Sequence, residues 1–309
     1  MNQTFKQHLE SQGKTKSTVT AYSSYALDFI SYLDADNTEV ENATAKEVLS
    51  YLNHLQKKGQ ENKTRNIRLN VIKQFFNWQI EQGQRADNPI AHLKIRGTKR
   101  QKLYPILSKQ ELEEIYINHE IPTEEHKKSK CNWFKTFPDV QFSVLSLLIN
   151  QGLTTPEVAK ITLKDLKLKE GQLFIGGSRK SNERNLELKS NQIIELMEYQ
   201  YTTRNELLKY QESETDLLFL STPTAGKLKA TENGKLDIWK GLRNDIRKQN
   251  PKFINFKQVR TSVITHWLKQ YNLRQVQQMA GHRYVSSTEA YLVNQTEDLQ
   301  ADIDQFHPF

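Results

Sequence analysis

The spacing of apolar residues changes along the chain, and this change limits the possible folds more than any other feature. Within residues 1–84, stretches such as "KSTVTAYSSYALDFISYL" place apolar side chains at three- and four-residue steps, the period of an amphipathic helix. Within residues 163–189, apolar and polar residues alternate instead, which indicates strands with one buried face. Helical spacing returns from about residue 190. The sequence therefore predicts a mainly α protein with one small antiparallel β-sheet.

Two domains are expected, because a chain of 309 residues exceeds the usual size of one hydrophobic core. The helical spacing of residues 1–84 predicts a small helical domain. Residues 85–107 combine prolines and a glycine with dense Lys and Arg, which is typical of a basic linker. Residues 108–309 begin with a capping-box pattern at Ser108 and contain the strands, so they predict an α+β domain with a C-terminal tail at 294–309.

Polar residues and glycines predict where several helices begin and end. Ser17, Thr64 and Asn255 are the expected N-caps of three helices. Gly281 is the expected end of a fourth helix. Asn255 and Gly281 matter most, because they fix the positions of polar residues in the C-terminal third of the chain.

Charge and cysteine content narrow the class of function. The net charge is +8, and residues 1–100 contain 15 Lys and Arg against 10 Asp and Glu; such a surplus favours nucleic acid as a partner. Cys131 is the only cysteine, so we expect no internal disulfide and a reducing, cytoplasmic location. The sequence has no apolar run of membrane-spanning length and no signal-peptide pattern, so we expect no membrane association.

Four residues in the C-terminal third could carry chemistry: Lys257, Arg260, His282 and Tyr291. A phenol can attack a phosphodiester when a cation neutralises the phosphate, a base or cationic field assists loss of its proton, and an acid protonates the leaving hydroxyl. These residue types supply such roles without a cofactor or metal, and no Asp/Glu cluster with metal-ligand spacing competes. Taken singly, Tyr291 and His282 are better explained by packing or by a helix end, and Lys257 and Arg260 by a solvated helix face.

Taken together, the segments resemble the tyrosine recombinase family of Xer-type and lambda-integrase-type proteins. "KQVRTSVITHWL" is similar to the family's His/Lys-x-x-Arg helix, "AGH" to its Leu-Gly-His box and "STEAY" to its nucleophile segment. The resemblance extends over nearly the whole chain. It implies a SAM-like core-binding domain at 1–84, a catalytic domain at 108–309, and integrase-type recombination of double-stranded DNA through a covalent 3′-phosphotyrosyl intermediate.

The resemblance implies a role for each matching residue. Tyr291 would be the nucleophile, and Arg260 and His282 would contact the scissile phosphate. Lys257 stands where the family more often has His. The family's general-acid lysine falls at Lys180 or, with a one-residue shift, at the position of its neighbour Arg179.

One position departs from the family pattern. In "QGLTTPEVAKI", Thr154 occupies the place of the family's first arginine, and threonine can donate a hydrogen bond but carries no charge. Losing such a contact to the transition state costs several kcal/mol. Either Arg179 or, as a second candidate, Arg184 supplies the missing charge, or the protein is a weak or inactive relative that binds DNA as a regulator. A type IB topoisomerase is a third, less favoured interpretation.

Basic residues outside this set are candidates for DNA contact, because phosphate contacts from Lys and Arg dominate affinity. For those in residues 57–68, a solvated helix start is nearly as good an explanation of each one. The candidates are Lys57, Lys58, Lys63, Arg65, Arg68, Lys94, Arg96, Lys99 and Arg100.

The tail at 294–309 has a narrow apolar stripe at Leu299, Ile303 and Phe306. The simplest expectation is that this stripe packs on its own domain. The resemblance instead implies docking on a neighbouring protomer in a tetramer assembled on DNA, associated with a prokaryotic nucleoid.

Overall fold

The structure is a computed structural model. For residues 235–237 only the backbone is described. The described residues are 4–97, 104–119, 135–179, 181–223 and 235–292. The chain divides into two compact units, residues 1–102 and 103–309. The division falls inside the segment 85–107 that the sequence marks as a basic linker.

The described part of the N-terminal unit, residues 4–97, is built on four α-helices that share one apolar core. Phe29 and Phe76 are fully buried in it and meet edge to face, with ring centroids 6.0 Å apart, a favourable arrangement for aromatic pairs. The helices are α1 (Phe5–Ser11), α2 (Lys16–Asp34), α3 (Ala45–Lys57) and α4 (Asn62–Glu81).

The predicted N-caps of α2 and α4 were wrong, because both helices begin earlier in the sequence. Thr15 caps α2 in place of Ser17, and its hydroxyl accepts from the backbone N–H of Thr18. Glu61 precedes α4 in place of Thr64. The first turn of α4 therefore forms through its backbone hydrogen bonds without a capping side chain.

The C-terminal unit is arranged around one strongly apolar helix. The central helix is α6, which buries Val144, Leu145 and Leu148 among other residues and packs against α5, α8 and α11. A π-helical stretch, Tyr199–Thr203, joins α8 to α9. The helices are α5 (Lys109–Ile117), α6 (Phe137–Asn150), α7 (Thr155–Val158), α8 (Ser190–Glu198), α9 (Arg204–Leu208), α10 (Lys235–Gln249), α11 (Phe256–Leu268), α12 (Leu273–Ala280) and α13 (Val285–Glu289).

A small antiparallel sheet completes this unit. Its strands lie in the order β1 (Leu166–Lys167), β2 (Gln172–Ile175) and β3 (Arg184–Glu187). In the register of β2 and β3, Leu173 lies opposite Leu186, and both side chains are buried in the core. The predicted fold class, mainly α with a small antiparallel sheet, is therefore confirmed.

Within the described parts of the chain, every helix is too short or too polar to span a lipid bilayer.

Candidate active site

Helix α11 and the segments that follow α12 and α13 bring Arg260, His282 and Tyr291 together. Asn255 caps the first turn of α11 as predicted, which places Arg260 on the buried side of that helix. Gly281 ends α12 in the left-handed conformation, with φ 69°, as predicted, so the chain turns and His282 leaves the helix direction. The short helix α13 then returns the chain, and Tyr291 follows its last turn.

Arg260 is held by backbone carbonyl groups of two other segments, the one that precedes α7 and the end of α12. The side chain is 8% exposed. Its guanidinium donates to the carbonyl oxygens of Gly152 and Ala280 and lies 3.6 Å from the carboxylate of Glu157. Burial lowers the pKa of Arg260, and the charge of Glu157 opposes that shift. Arginine stays protonated in proteins, so Arg260 provides a fixed positive charge.

His282 is a neutral imidazole whose tautomer follows from its partners. Its Nε2 lies 3.3 Å from Nη2 of Arg260, and its Nδ1 lies 2.9 Å from the hydroxyl of Thr288. Arginine cannot accept a hydrogen bond, so Nε2 is the acceptor and Nδ1–H donates to Thr288. Burial, together with the charges of Arg260 and Arg184, lowers the pKa of His282 to about 4.

The Tyr291 ring lies directly on this histidine. The two ring centroids are 5.7 Å apart and the ring planes differ by 11°. Burial lowers the pKa of Arg260, whereas electrostatic attraction to Tyr291 and a hydrogen bond with it raise that pKa. The phenol therefore lies beside a buried cation.

Beneath these residues, Glu157 links two arginines. Nη1 of Arg184, at the start of β3, lies 2.8 Å from one oxygen of Glu157, and Arg260 approaches the other oxygen. Burial alone would raise the pKa of Glu157, but the hydrogen bond and charge of Arg184 outweigh it, so the pKa is lowered. The carboxylate is therefore ionised and holds both cations in place.

The Arg184 guanidinium also occupies the space beside Gly281. A Cβ added at Gly281 would lie 2.8 Å from Cζ of Arg184 and closer still to Nη1. Glycine is thus required at this position both for its left-handed backbone and for the close approach of Arg184.

Thr154 is the N-cap of the short helix α7. Its hydroxyl donates to a carboxylate oxygen of Glu157 at 2.8 Å and accepts from the backbone N–H of the same residue at 3.3 Å. The threonine thus provides a hydrogen-bond acceptor for a backbone N–H group in the first turn of α7, and it contributes no charge to its surroundings.

A cavity of about 380 Å³ opens next to this group. One wall is the segment that includes Thr154, Glu157 and Lys160, and the other is the end of β2 with the turn that follows it. Arg260 and His282 also line it. The volume falls in the range of pockets that hold small organic ligands, about 300 to 1,000 Å³. Within the described ranges, no three His, Cys, Asp or Glu side chains are grouped to hold a metal ion.

The turn between β2 and β3 is fastened to the segment that carries His282. The backbone N–H of Asn182 donates to the carbonyl of Gly281 at 2.9 Å, and the side chain of Arg283 donates to the carbonyl of Arg179. Lys180, the predicted general acid, lies outside the described residues. The Arg179 side chain is exposed and does not line the cavity.

Lys257 is not part of this group. Its ammonium lies 5.8 Å from the centre of the Tyr104 ring, and the side chain is exposed, whereas that of Arg260 is buried. Lys257 and Arg260 therefore do not share one face of α11, although they stand only three residues apart. Side chains three residues apart on a helix point in directions about 60° apart. Here that difference places Arg260 in the interior and Lys257 at the surface.

Two of the predicted DNA-contact arginines are engaged within the N-terminal unit. Arg65 is 7% exposed, and its guanidinium donates to the Leu52 carbonyl and to side-chain oxygens of Gln56 and Asn62. Unlike Arg260, Arg65 does not line the cavity described above, and its guanidinium is fixed by acceptors inside the N-terminal unit. The interpretation of Arg65 as a DNA contact is therefore corrected to a structural role.

Arg68 is engaged in a similar manner. It pairs with Asp28 at 2.8 Å, donates to the Tyr51 hydroxyl at 2.7 Å, and lies over the Tyr25 ring. Its charge is already matched, which argues against the predicted phosphate contact.

Five of the other basic candidates are exposed. The exposed ones are Lys57, Lys58, Lys63, Lys94 and Arg96. Lys99, Arg100 and the tail at 294–309 lie outside the described residues.

Residues 106–298 match the phage integrase family, and residues 1–85 match the phage integrase N-terminal SAM-like domain. The chain therefore belongs to the phage integrase family, the tyrosine-type site-specific recombinases. The family predicted from the sequence is thereby confirmed.

Curated relatives are similar over almost their full length. Tyrosine recombinase XerA of Pyrococcus furiosus is 23% identical over 290 residues, covering 93% of this chain and 87% of that protein. Tyrosine recombinase XerD of Oceanobacillus iheyensis is 26% identical over 302 residues, covering 96% of this chain and 94% of that protein.

Two solved structures share the fold. A lambda integrase tetramer bound to a Holliday junction has a TM-score of 0.61 at 15% identity, covering 93% of this chain and 74% of that chain. The Tn1549 transposon integrase in complex with transposon right end DNA has a TM-score of 0.61 at 14% identity, covering 97% of this chain and 96% of that chain.

Sequence reasoning missed two residues of this site. Glu157 and Lys160 both line the cavity, and neither is among the candidate site residues predicted from the sequence. A signal for Lys160 exists in its position, since it stands six residues after Thr154 and immediately beyond the short helix that Thr154 begins.

Proposed function

We propose that this recombinase cuts and rejoins DNA through a covalent intermediate between Tyr291 and a 3′-phosphate. One observation carries the proposal: Tyr291 stacks on His282 beside the buried Arg260, in the same unit and next to one cavity. Arg260 lies within α11, whereas His282 and Tyr291 follow the ends of α12 and α13, so ordinary packing of a single helix does not explain the grouping.

In the proposed step, the phenolic oxygen of Tyr291 forms a bond to phosphorus while the bond from phosphorus to the 5′-oxygen breaks. Arg260 neutralises charge on a non-bridging oxygen, and a guanidinium is well suited to that contact. The leaving 5′-oxygen needs a proton. The family resemblance implies Lys180 as its donor, and we propose that role here.

His282 is proposed to accept the proton of the phenol. Its Nε2 is an acceptor when no DNA is bound, because Arg260 donates to it and Nδ1–H is engaged with Thr288. A phosphate in the cavity adds negative charge beside the ring, which raises the pKa of His282 from its low value. The protonated Nε2–H can then donate to the phosphate.

Double-stranded DNA is the proposed partner of both units. The exposed lysines at the end of α3 and the start of α4 are Lys57, Lys58 and Lys63, and they support phosphate contacts from the N-terminal unit. The lambda integrase structure is a tetramer on a Holliday junction. We therefore propose assembly into a tetramer on DNA, with the tail at 294–309 docking on a neighbouring protomer, in the nucleoid of a prokaryotic cytoplasm.

A nicked suicide substrate tests the covalent step. Nicked duplexes taken from the DNA that flanks its gene are incubated with the full chain, and protein–DNA adducts are separated under denaturing conditions. We expect an adduct with the wild type and with Tyr284→Phe, an exposed tyrosine that serves as the matched control. Tyr291→Phe should bind the same DNA and form none.

The opposite results identify the alternative. If the wild type binds these duplexes tightly but forms no adduct, the protein is a DNA-binding relative without strand cleavage. If Tyr291→Phe forms the adduct as well as the wild type, the nucleophile is another residue and the proposal is wrong.

A further inference from the structure

We propose that Lys160 supplies the second positive charge that the scissile phosphate requires in this cavity. The inference rests on the proposed function, since it concerns the phosphate that Tyr291 attacks. It assigns a phosphate-contacting role to a residue that lies outside the matching motifs.

The need for a second cation follows from the chemistry of the step. When an anionic nucleophile adds to a phosphodiester, two negative charges are shared by the non-bridging oxygens of the pentavalent transition state. In a site that is partly removed from water, each uncompensated charge is costly. Arg260 alone can match one of these charges, and the neutral imidazole of His282 matches none until it takes up a proton.

Most cations near the site are unable to provide the second charge. The side chain of Arg184 is 4% exposed and paired with Glu157, and it packs against Gly281. It therefore stabilises the site and is not free to contact a phosphate. Arg179 and Lys257 do not line the cavity. Among the described residues that line it, the permanently charged cations are Arg260 and Lys160.

Lys160 is positioned and available for this contact. Its backbone N–H donates to the carbonyl of Glu157 at 3.0 Å, which fixes the turn after α7 and keeps the residue at the cavity. The side chain is exposed. Within the described parts of the chain, no acidic group forms an ion pair with its ammonium. The nearby carboxylate of Glu157 is already matched by Arg184 and Arg260.

Thr154 explains why such a residue is needed here. It lines the same cavity, but its hydroxyl is engaged with Glu157 and it carries no charge. A lysine has a compact charge on a long flexible stem. Lys160 can therefore reach a phosphate from a backbone position further along the same wall.

The first test compares rates of adduct formation on the suicide substrate at saturating protein. Lys160→Ala should slow adduct formation by about 100-fold, which is the lower end of the range for removing one transition-state donor. Lys160→Arg should retain most of the rate. Lys164→Ala is the matched control, because Lys164 is an exposed lysine of the same segment that faces Asp216 at 3.9 Å instead, and it should behave as the wild type.

A second substrate separates charge neutralisation from a structural effect. A methylphosphonate at the scissile position removes one negative charge from the phosphate. On that substrate Lys160→Ala should form the adduct as fast as the wild type, because the charge that Lys160 matches is gone. On the normal substrate, adding Thr154→Arg to Lys160→Ala should restore much of the rate, since an arginine there lines the same cavity.

The outcomes distinguish this inference from the proposed function. A protein with no Tyr291-dependent adduct overturns both. A Tyr291-dependent adduct that forms at the wild-type rate in Lys160→Ala overturns the role of Lys160 alone. A defect of Lys160→Ala that is equally large on the methylphosphonate also overturns it, because the loss then has no connection with phosphate charge.

Discussion

Replacing Gly281 with alanine should destabilise the C-terminal unit more than its backbone conformation alone requires. The residue has φ +69°, and an added Cβ would lie 2.8 Å from Cζ of Arg184 and 3.2 Å from its Cδ. These atoms belong to a buried side chain paired with Glu157, so they cannot move aside freely. The substitution must therefore displace a buried ion pair.

The expected magnitude has two parts. An L-residue in the left-handed conformation costs about 1–2 kcal/mol. Breaking a buried ion pair by removing one partner costs about 3–5 kcal/mol, and displacing Arg184 without removing it should cost roughly half of that. The free energy of unfolding of the C-terminal unit should thus fall by about 3–4 kcal/mol in Gly281→Ala.

Urea unfolding of the full chain, followed by tryptophan fluorescence, measures this change, since three of the four tryptophans belong to residues 103–309. Gly171→Ala is the matched control. Gly171 has φ +64°, and its added Cβ would meet only Cδ1 of Ile193, at 3.3 Å, the end of a flexible side chain. The control should lose only about 1–2 kcal/mol.

A double-mutant cycle isolates the contact. In an Arg184→Met background, Gly281→Ala should cost no more than Gly171→Ala does in the wild type. If Gly281→Ala and Gly171→Ala cost the same in the wild type, the approach of Arg184 to Gly281 contributes nothing, and the reasoning is refuted.

Three further predictions concern charge and capping. By NMR, His282 should titrate near pH 4; because its folded pKa lies below the unfolded value of about 6.5, stability should fall as the pH drops from about 6.5 towards 4. Arg184→Gln should raise that pKa, and an unchanged value would contradict the contribution of its charge. Thr154→Val should cost about 1 kcal/mol in thermal unfolding through loss of the N-cap, and a neutral result would contradict the capping role. Lys63→Ala should reduce the salt dependence of DNA binding by about one counterion at unchanged stability, whereas Arg65→Ala should lower stability by about 2–3 kcal/mol; equal stability of the two variants would contradict the burial of Arg65.

The features predicted correctly from the sequence are those that depend on neighbours in the chain. The change from helical to alternating spacing gave the fold class, since period depends on residues a few positions apart. Asn255 and Gly281 were assigned correctly as a helix start and a helix end, because caps are local hydrogen bonds and local backbone conformations. The spacing of the C-terminal motif was enough to indicate the family.

The N-caps predicted at Ser17 and Thr64 were wrong by two and three residues, because several polar residues near each helix start compete for the position. The other incorrect predictions concern side chains whose surroundings come from elsewhere in the chain. Arg65 begins a helix and has the pattern of an exposed basic residue, yet its partners include Leu52 and Gln56 on the preceding helix. Lys257 and Arg260 stand one turn apart, but only Arg260 faces the core. Sequence spacing gives the angle between two side chains on a helix, and it does not say which direction faces inward.

The sequence by itself determined the fold class, the family and the order of Arg260, His282 and Tyr291. Only the tertiary structure decided which charges surround them. It places Arg184 beneath Gly281, where it holds Glu157, and it places Lys160 at the cavity beside Thr154. The physical reason is that electrostatic energy depends on distance and on exposure to water. For residues far apart in sequence, both quantities exist only after the chain has folded.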